Sequence, residues 1–220
     1  MKSALELGDY YSKRAAEYEC IYTKPERQPD LAKLKSLVSE IFQGLDVLEV
    51  ACGTGYWTEI IASTAQSVFA TDINPSVLEI ARAKTFLKNN VRFEEASALN
   101  LQNVRGKTFS GGVATFWWSH LEKSILPSFL AQFHQCLSPG ATVVFLDNKF
   151  VAGSSSPISR TDAQGNTYQK RRLLNGEEFE IIKNFPGREE LEVMLSASAN
   201  NFQWIDFEFY WLASYQLAAV

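Results

Sequence analysis

Apolar residues recur at three- and four-residue steps through residues 8–22 and again through 30–42, the spacing that lines one face of an α-helix. From residue 45 the pattern becomes short apolar runs alternating with amphipathic stretches. LDVLEVA, SVFATD, NVRFEEA, SGGVATFWW and ATVVFLDNKF read as five strands. Between them YWTEIIAST, NPSVLEIARAKTFLKN and EKSILPSFLAQFHQCLSPG read as helices, the second with Pro75 near its start and the third closed by Pro139-Gly140. Such alternation predicts an α/β fold: a doubly wound, mostly parallel open sheet with helices on both faces.

After Phe150 the pattern changes again. VAGSSSPISRTDAQGN is polar and loop-like, while TYQKRRLL and EEFEIIKNF flank an Asn175-Gly176 turn signal and predict a β-hairpin appendage following the fifth strand. PGREELEVMLSAS reads as a further helix and FQWIDFEFYW as an aromatic strand. The expected organisation is one domain over 1–220, with an N-terminal helical segment (1–43), a central α/β core (44–150) and a last part (151–220) holding the hairpin, helix and last strand or strands.

Composition narrows the function classes. With 220 residues and 46% hydrophobic content, one substantial core is expected. A formal charge of −4 offers no general basic field, so nucleic acid is not an expected partner. The compact run Lys170, Arg171, Arg172 reads as a solvated strand with charges on alternating faces. Cys20, Cys52 and Cys136 show no metal-ligand spacing and read as reduced thiols. No apolar run approaches the ~20 residues of a membrane span, so a cytoplasmic protein without a membrane partner is expected, as a monomer or homodimer.

The chemistry concentrates in LEVACGTGYWTEI. Gly53 and Gly55 follow the first strand directly, where open sheets of this class hold nucleotides, and lack the Cβ that would keep a ligand off the main chain. Asp72, at the end of the second strand, can accept hydrogen bonds from both hydroxyls of a ribose. The dinucleotide fingerprint wants a small residue three places after the second glycine; here that residue is Thr58, beside Tyr56 and Trp57.

With Glu49 four residues before Gly53, EVACGTG resembles the motif of class I S-adenosylmethionine-dependent methyltransferases. TDIN, FEEASALNL, FSGGVATFWWSHL and LSPGATVVFLD resemble that family's successive segments in order. The resemblance implies a seven-stranded sheet, a helical lid within 1–43 over a cofactor-binding core at 44–150, S-adenosylmethionine as cofactor, S-adenosylhomocysteine as product, and in-line methyl transfer to oxygen or nitrogen of a small-molecule acceptor. It implies that Glu49 helps hold the methionyl ammonium, that Ala51, Gly53, Thr54 and Gly55 form the methionyl loop, and that Asp72, Ile73 and Asn74 surround the ribose and one adenine face. Leu99 would cover the other face, beside Ser97 and the Ala98 amide. Ala51 replaces the motif's first glycine, and Ser97 and Ser110 stand where aspartates are common.

DYYSKRAAEYECIY resembles the lid helix of small-molecule methyltransferases, with Arg14 facing the methionyl carboxylate. Phe116 and Trp117 would edge the cofactor, and Trp118, His120, Asp147 and Asn148 would face the acceptor, with His120 as a general base or as a mere helix cap. Asp147-Asn148 resembles the pair that helps hold a cation in catechol-type members, but the partner aspartate is replaced by tryptophans, so no metal is expected. The rival readings are a methyltransferase-like binding module without turnover and an NAD(P)-dependent oxidoreductase.

Overall fold

A computed structural model describes residues 10–104 and 108–219; the start of the helix expected from residue 8, and of the 1–43 segment, lies outside the described residues. Seven strands form the main sheet: β1 (Asp46–Val50), β2 (Ser67–Asp72), β3 (Val91–Glu95), β4 (Phe109–Thr115), β5 (Leu137–Asn148), β9 (Ala199–Asp206) and β10 (Tyr210–Leu217). Their order is β3-β2-β1-β4-β5-β10-β9. β1 pairs in parallel with both β2 and β4, so the chain reverses its direction of travel across the sheet between β1 and β4, and a crevice opens at their carboxyl ends.

Side chains alternate between two cores. Val47, Val113, Val144 and Leu146 face α1 (Gln28–Ile41) and α2 (Tyr56–Ala62), through Leu34, Val38, Trp57 and Ile61. Leu48, Ala114, Val143 and Phe145 face α4 (Leu126–His134) and α5 (Arg188–Leu195), through Phe129, Phe133 and Leu191. α3 (Pro75–Ala83) adds Leu78 to the first core; it ends short of the expected residue 89, where Lys84 turns extended and Phe86 packs on Phe93. Its start is capped by the Asn74 side chain, which accepts from the Ser76 amide at 3.0 Å.

Four expectations need correction. After one α-helical turn at 10–14, residues Ala15–Thr23 form a 3₁₀ helix rather than a continuation of the α-helix. The expected loop after Phe150 contains β6 (Ile158–Thr161), which joins β7 (Thr167–Arg172) and β8 (Glu178–Ile182) in a three-stranded antiparallel sheet, so the appendage is larger than a hairpin. Pro139-Gly140 lies within β5 rather than closing a helix. The aromatic strand is two strands, β9 and β10, with β10 inserted antiparallel to β5. Among the described residues no helix is long and apolar enough to cross a membrane.

Candidate active site

The loop leaving β1 is built from left-handed backbone: φ is 54° at Ala51, 57° at Gly53 and 77° at Gly55. Alanine in that region costs ~1–2 kcal/mol, which explains why the motif resembled here carries glycine at this point. The Gly53 amide donates to Asp72 Oδ2 and the Asn74 amide to Asp72 Oδ1, each at 2.9 Å. Asp72 thereby ties the two loops together and keeps its remaining lone pairs for a ligand. Burial pushes its carboxyl up, against the amides of Asn74 and Gly53, which favour the charged form.

These loops line a cavity of about 380 Å³, within the usual range for a small-molecule site. Ala51 and Gly53 form its floor, and Asp72 and Asn74 stand at one side. Ile73, 59% exposed, and Leu99 with Ala98 and Ser97 provide apolar and polar walls. Phe116, Trp117 and His120 close the far end. The Ser97 hydroxyl accepts from the Leu99 amide at 3.2 Å.

Other expected residues lie elsewhere. Thr54 is buried and donates to Glu19, which pairs with Lys84 at 2.5 Å, so it fastens the N-terminal segment instead of lining the cavity. Gly55 lies behind the floor, where a Cβ would come within 3.1 Å of the Ala81 Cβ; its role is close packing of α2 and α3. Trp118 is core, its ring 5.0 Å from that of Phe145. Asp147 is fully buried, held by Lys183 Nζ at 3.1 Å and accepting the Ser119 amide at 2.9 Å, so it positions the 3₁₀ turn Trp118–His120 and does not face an acceptor. Among the described residues no group of three His, Cys, Asp or Glu is arranged to hold a metal ion.

His120 has a defined tautomer. The Ile182 carbonyl lies 2.9 Å from Nδ1 and must accept its proton, which leaves the Nε2 lone pair to accept from the Tyr11 hydroxyl at 2.8 Å. Burial first, and then the Lys183 charge, hold the imidazole well below its ordinary pKa, so it is neutral around pH 7. Tyr11 had no assigned role in the sequence; its spacing from Tyr18 was the available signal, and the two rings lie edge to face at 5.7 Å.

Residues 47–140 match the family described as a methyltransferase domain. The chain has the class I methyltransferase fold. Over 173 residues, 69% of this chain, it is 27% identical to the demethylmenaquinone methyltransferase of Staphylococcus aureus strain MRSA252, and the match spans 66% of that relative's length. A solved DhpI–SAH complex superposes with a TM-score of 0.79 at 23% identity, covering 99% of this chain and 98% of that one. The 1,6-didemethyltoxoflavin-N1-methyltransferase of Burkholderia thailandensis, solved with bound 1,6-didemethyltoxoflavin and S-adenosylhomocysteine, gives a TM-score of 0.63 at 14% identity, covering 99% of this chain and 90% of that one. At these identities the structures speak for the fold.

Within this methyltransferase fold Glu49 is fully buried beneath the glycine loop, outside the cavity lining. Its Oε2 accepts from Thr58 at 2.6 Å and its Oε1 has no partner. Burial raises its pKa to about 8, with the Thr58 hydrogen bond opposing and the Asp72 charge adding. Around neutral pH folding therefore requires Glu49 to be protonated, whereas the unfolded chain carries it ionised above about pH 4.5. The unfolded state then binds fewer protons, so stability falls as pH rises from about 4.5 to about 8 and levels off beyond. Glu49→Gln is expected to flatten that slope in urea melts; an unchanged slope would show that another group carries it.

A second cavity of about 180 Å³ lies beside the first, sharing Tyr11, Tyr18, Phe116 and His120 as a common wall. Arg14 lines this second cavity and not the first, its guanidinium donating to the Tyr10 hydroxyl at 2.6 Å. Asn148 also lines it, accepting from Arg27 at 3.1 Å. Lys24, Arg27 and Lys183, which the sequence left unassigned, complete its cationic lining together with Arg171, which turns inward instead of being solvated as its basic run suggests.

Proposed function

We propose that this protein binds S-adenosylmethionine in the larger cavity and transfers its methyl group to a small-molecule acceptor held in the adjoining one. The observation that carries this reading is Asp72, its two oxygens fixed by the Gly53 and Asn74 amides at the rim of a cavity floored by Ala51 and Gly53. A ribose suits that carboxylate, an adenine suits the gap between Ile73 and Leu99, and the bare main chain of Ala51 and Gly53 admits the methionyl chain. A methionyl ammonium above the loop would favour the charged form of the buried Glu49 carboxyl, whose Oε1 has no other partner. Thr58, buried with its hydroxyl committed to Glu49, occupies the place where a dinucleotide site wants a small residue, which speaks against NAD(P).

When bound, the sulfonium cofactor supplies an activated methyl group, so the chain's own task is alignment and exclusion of water. Tyr11, Tyr18 and Phe116 wall the junction. His120, neutral and fixed by Ile182, orients the Tyr11 hydroxyl at that junction. Its depressed basicity makes it a weak proton acceptor and suits it to positioning.

His120→Ala is expected to lower kcat by about 10- to 100-fold through lost alignment while barely changing the affinity for S-adenosylhomocysteine. The wild-type rate should show no inflection assignable to His120 near its ordinary pKa, since burial moves that titration well below it. Methyl transfer from labelled cofactor across an acceptor panel tests the reading. Tight cofactor binding without turnover on any acceptor would favour the binding-module alternative.

A further inference from the structure

The smaller cavity concentrates positive charge in a chain whose formal net charge is −4. Arg14, Lys24, Arg27, Arg171 and Lys183 line it, and no carboxylate does. Lys183 is neutralised by the buried Asp147. The three guanidiniums are not: none forms an ion pair with a carboxylate among the described residues.

Their partners are neutral and few. Arg27 is buried, donates to Asn148 and to the Ser154 hydroxyl at 3.1 Å each, and keeps a buried Nε with no partner. Arg171 donates to the Ser156 hydroxyl and to Gln169 Oε1, and its Nε too is buried and unpartnered. Arg171 is also held below the ordinary guanidinium range, by burial first and also by the like charges of Arg14 and Arg27. Bringing such cations together out of water is unfavourable unless an anion completes the site, and a guanidinium fork matches the planar or tetrahedral oxygens of an oxyanion.

We propose that the methyl acceptor is a small molecule bearing an oxyanion, a carboxylate or a phosphoryl group, which seats on Arg27 and Arg171 in the smaller cavity. Calling this molecule the acceptor rests on the methyl-transfer reading above; the seat itself does not. The cofactor's own carboxylate is not the natural occupant. Arg27 and Arg171 line only the cavity closed by Ser154 and Ser156, whereas Gly53, Asp72 and Ala98 line only the other. The appendage sheet then has a function: Gln169 and Arg171, two apart on β7, both turn toward the cavity, while Lys170 and Arg172 between and beyond them are exposed.

The test is calorimetric titration of the intact chain with ethylphosphonate, propionate and uncharged propionamide, each with and without saturating S-adenosylhomocysteine. Binding of at least one anion is expected, with the nucleoside present as well as absent, and none of propionamide; the tighter anion identifies the headgroup. Arg171→Gln should weaken that binding about tenfold or more while leaving S-adenosylhomocysteine affinity unchanged. Arg27→Gln serves as the second variant, with circular dichroism to confirm folding, because Arg27 also packs over Phe209 and Tyr210. In turnover, acids should be preferred over their matched amides. Equal binding of propionamide, no anion binding, displacement of the anion by S-adenosylhomocysteine, or an unaffected Arg171→Gln would each overturn the inference. Nucleoside binding without anion binding would leave the methyl-transfer reading standing, and anion binding without nucleoside binding would remove that reading but keep the seat.

Discussion

Asp147→Ala is expected to destabilise the protein by about 3–5 kcal/mol, the cost of stranding one member of a buried ion pair. The Asp147 side chain is 0% exposed and that of Lys183 6%, so no water takes over when the carboxylate goes. The loss is compounded because Asp147 also accepts the Ser119 amide and its own neighbour's amide, Asn148, at 2.9 and 2.7 Å. For a chain of this size the shift in Tm should be roughly 6–20 °C, at 2–4 °C per kcal/mol. Pairing the change with Lys183→Met should recover a large part of the loss, since removing both charges is far cheaper than removing one. A double variant no more stable than Asp147→Ala would show that the amide contacts matter more than the charge. Activity should suffer in both, because the pair holds the turn that carries His120.

Asp72→Ala is expected to weaken S-adenosylhomocysteine binding by about 1.5–3 kcal/mol, the worth of hydrogen bonds to a charged group, or about 10- to 150-fold. Its effect is twofold: the ribose hydroxyls lose their acceptor, and the Gly53 and Asn74 amides lose the oxygens that fix both loops. Asp72→Asn separates the two. It keeps one carbonyl oxygen for the loop and lacks the charge, so it should fall between wild type and alanine in affinity with nearly wild-type stability. If both variants folded and bound as wild type does, the ribose would lie elsewhere.

The parts of the fold legible in the sequence are those whose period is enforced by burial on both sides of the sheet. β1, β2, β4 and β5 alternate between two cores, and their apolar runs announce it. β6 is exposed at all four positions and has no such pattern. The turn between β9 and β10 uses Phe207, Glu208 and Phe209 with no glycine, proline or asparagine, so the two strands read as one. The larger cavity was legible because Gly53 and Asp72 belong to short local segments at strand ends. The smaller cavity was legible only in Arg14, His120 and Asn148; Arg27, Arg171 and Lys183 come from three separate segments, joined only by folding. Arg171 was hidden inside a basic run that reads as solvated, although the alternation of β7 turns it inward.

Equilibrium titration of the chain with S-adenosylhomocysteine and, separately, with NADH tests the central claim most directly. Saturable binding of one S-adenosylhomocysteine per chain, lost or sharply weakened in Asp72→Ala, with no binding of NADH, is the predicted result. Saturable NADH binding, or a folded protein that takes up no S-adenosylhomocysteine, would contradict it.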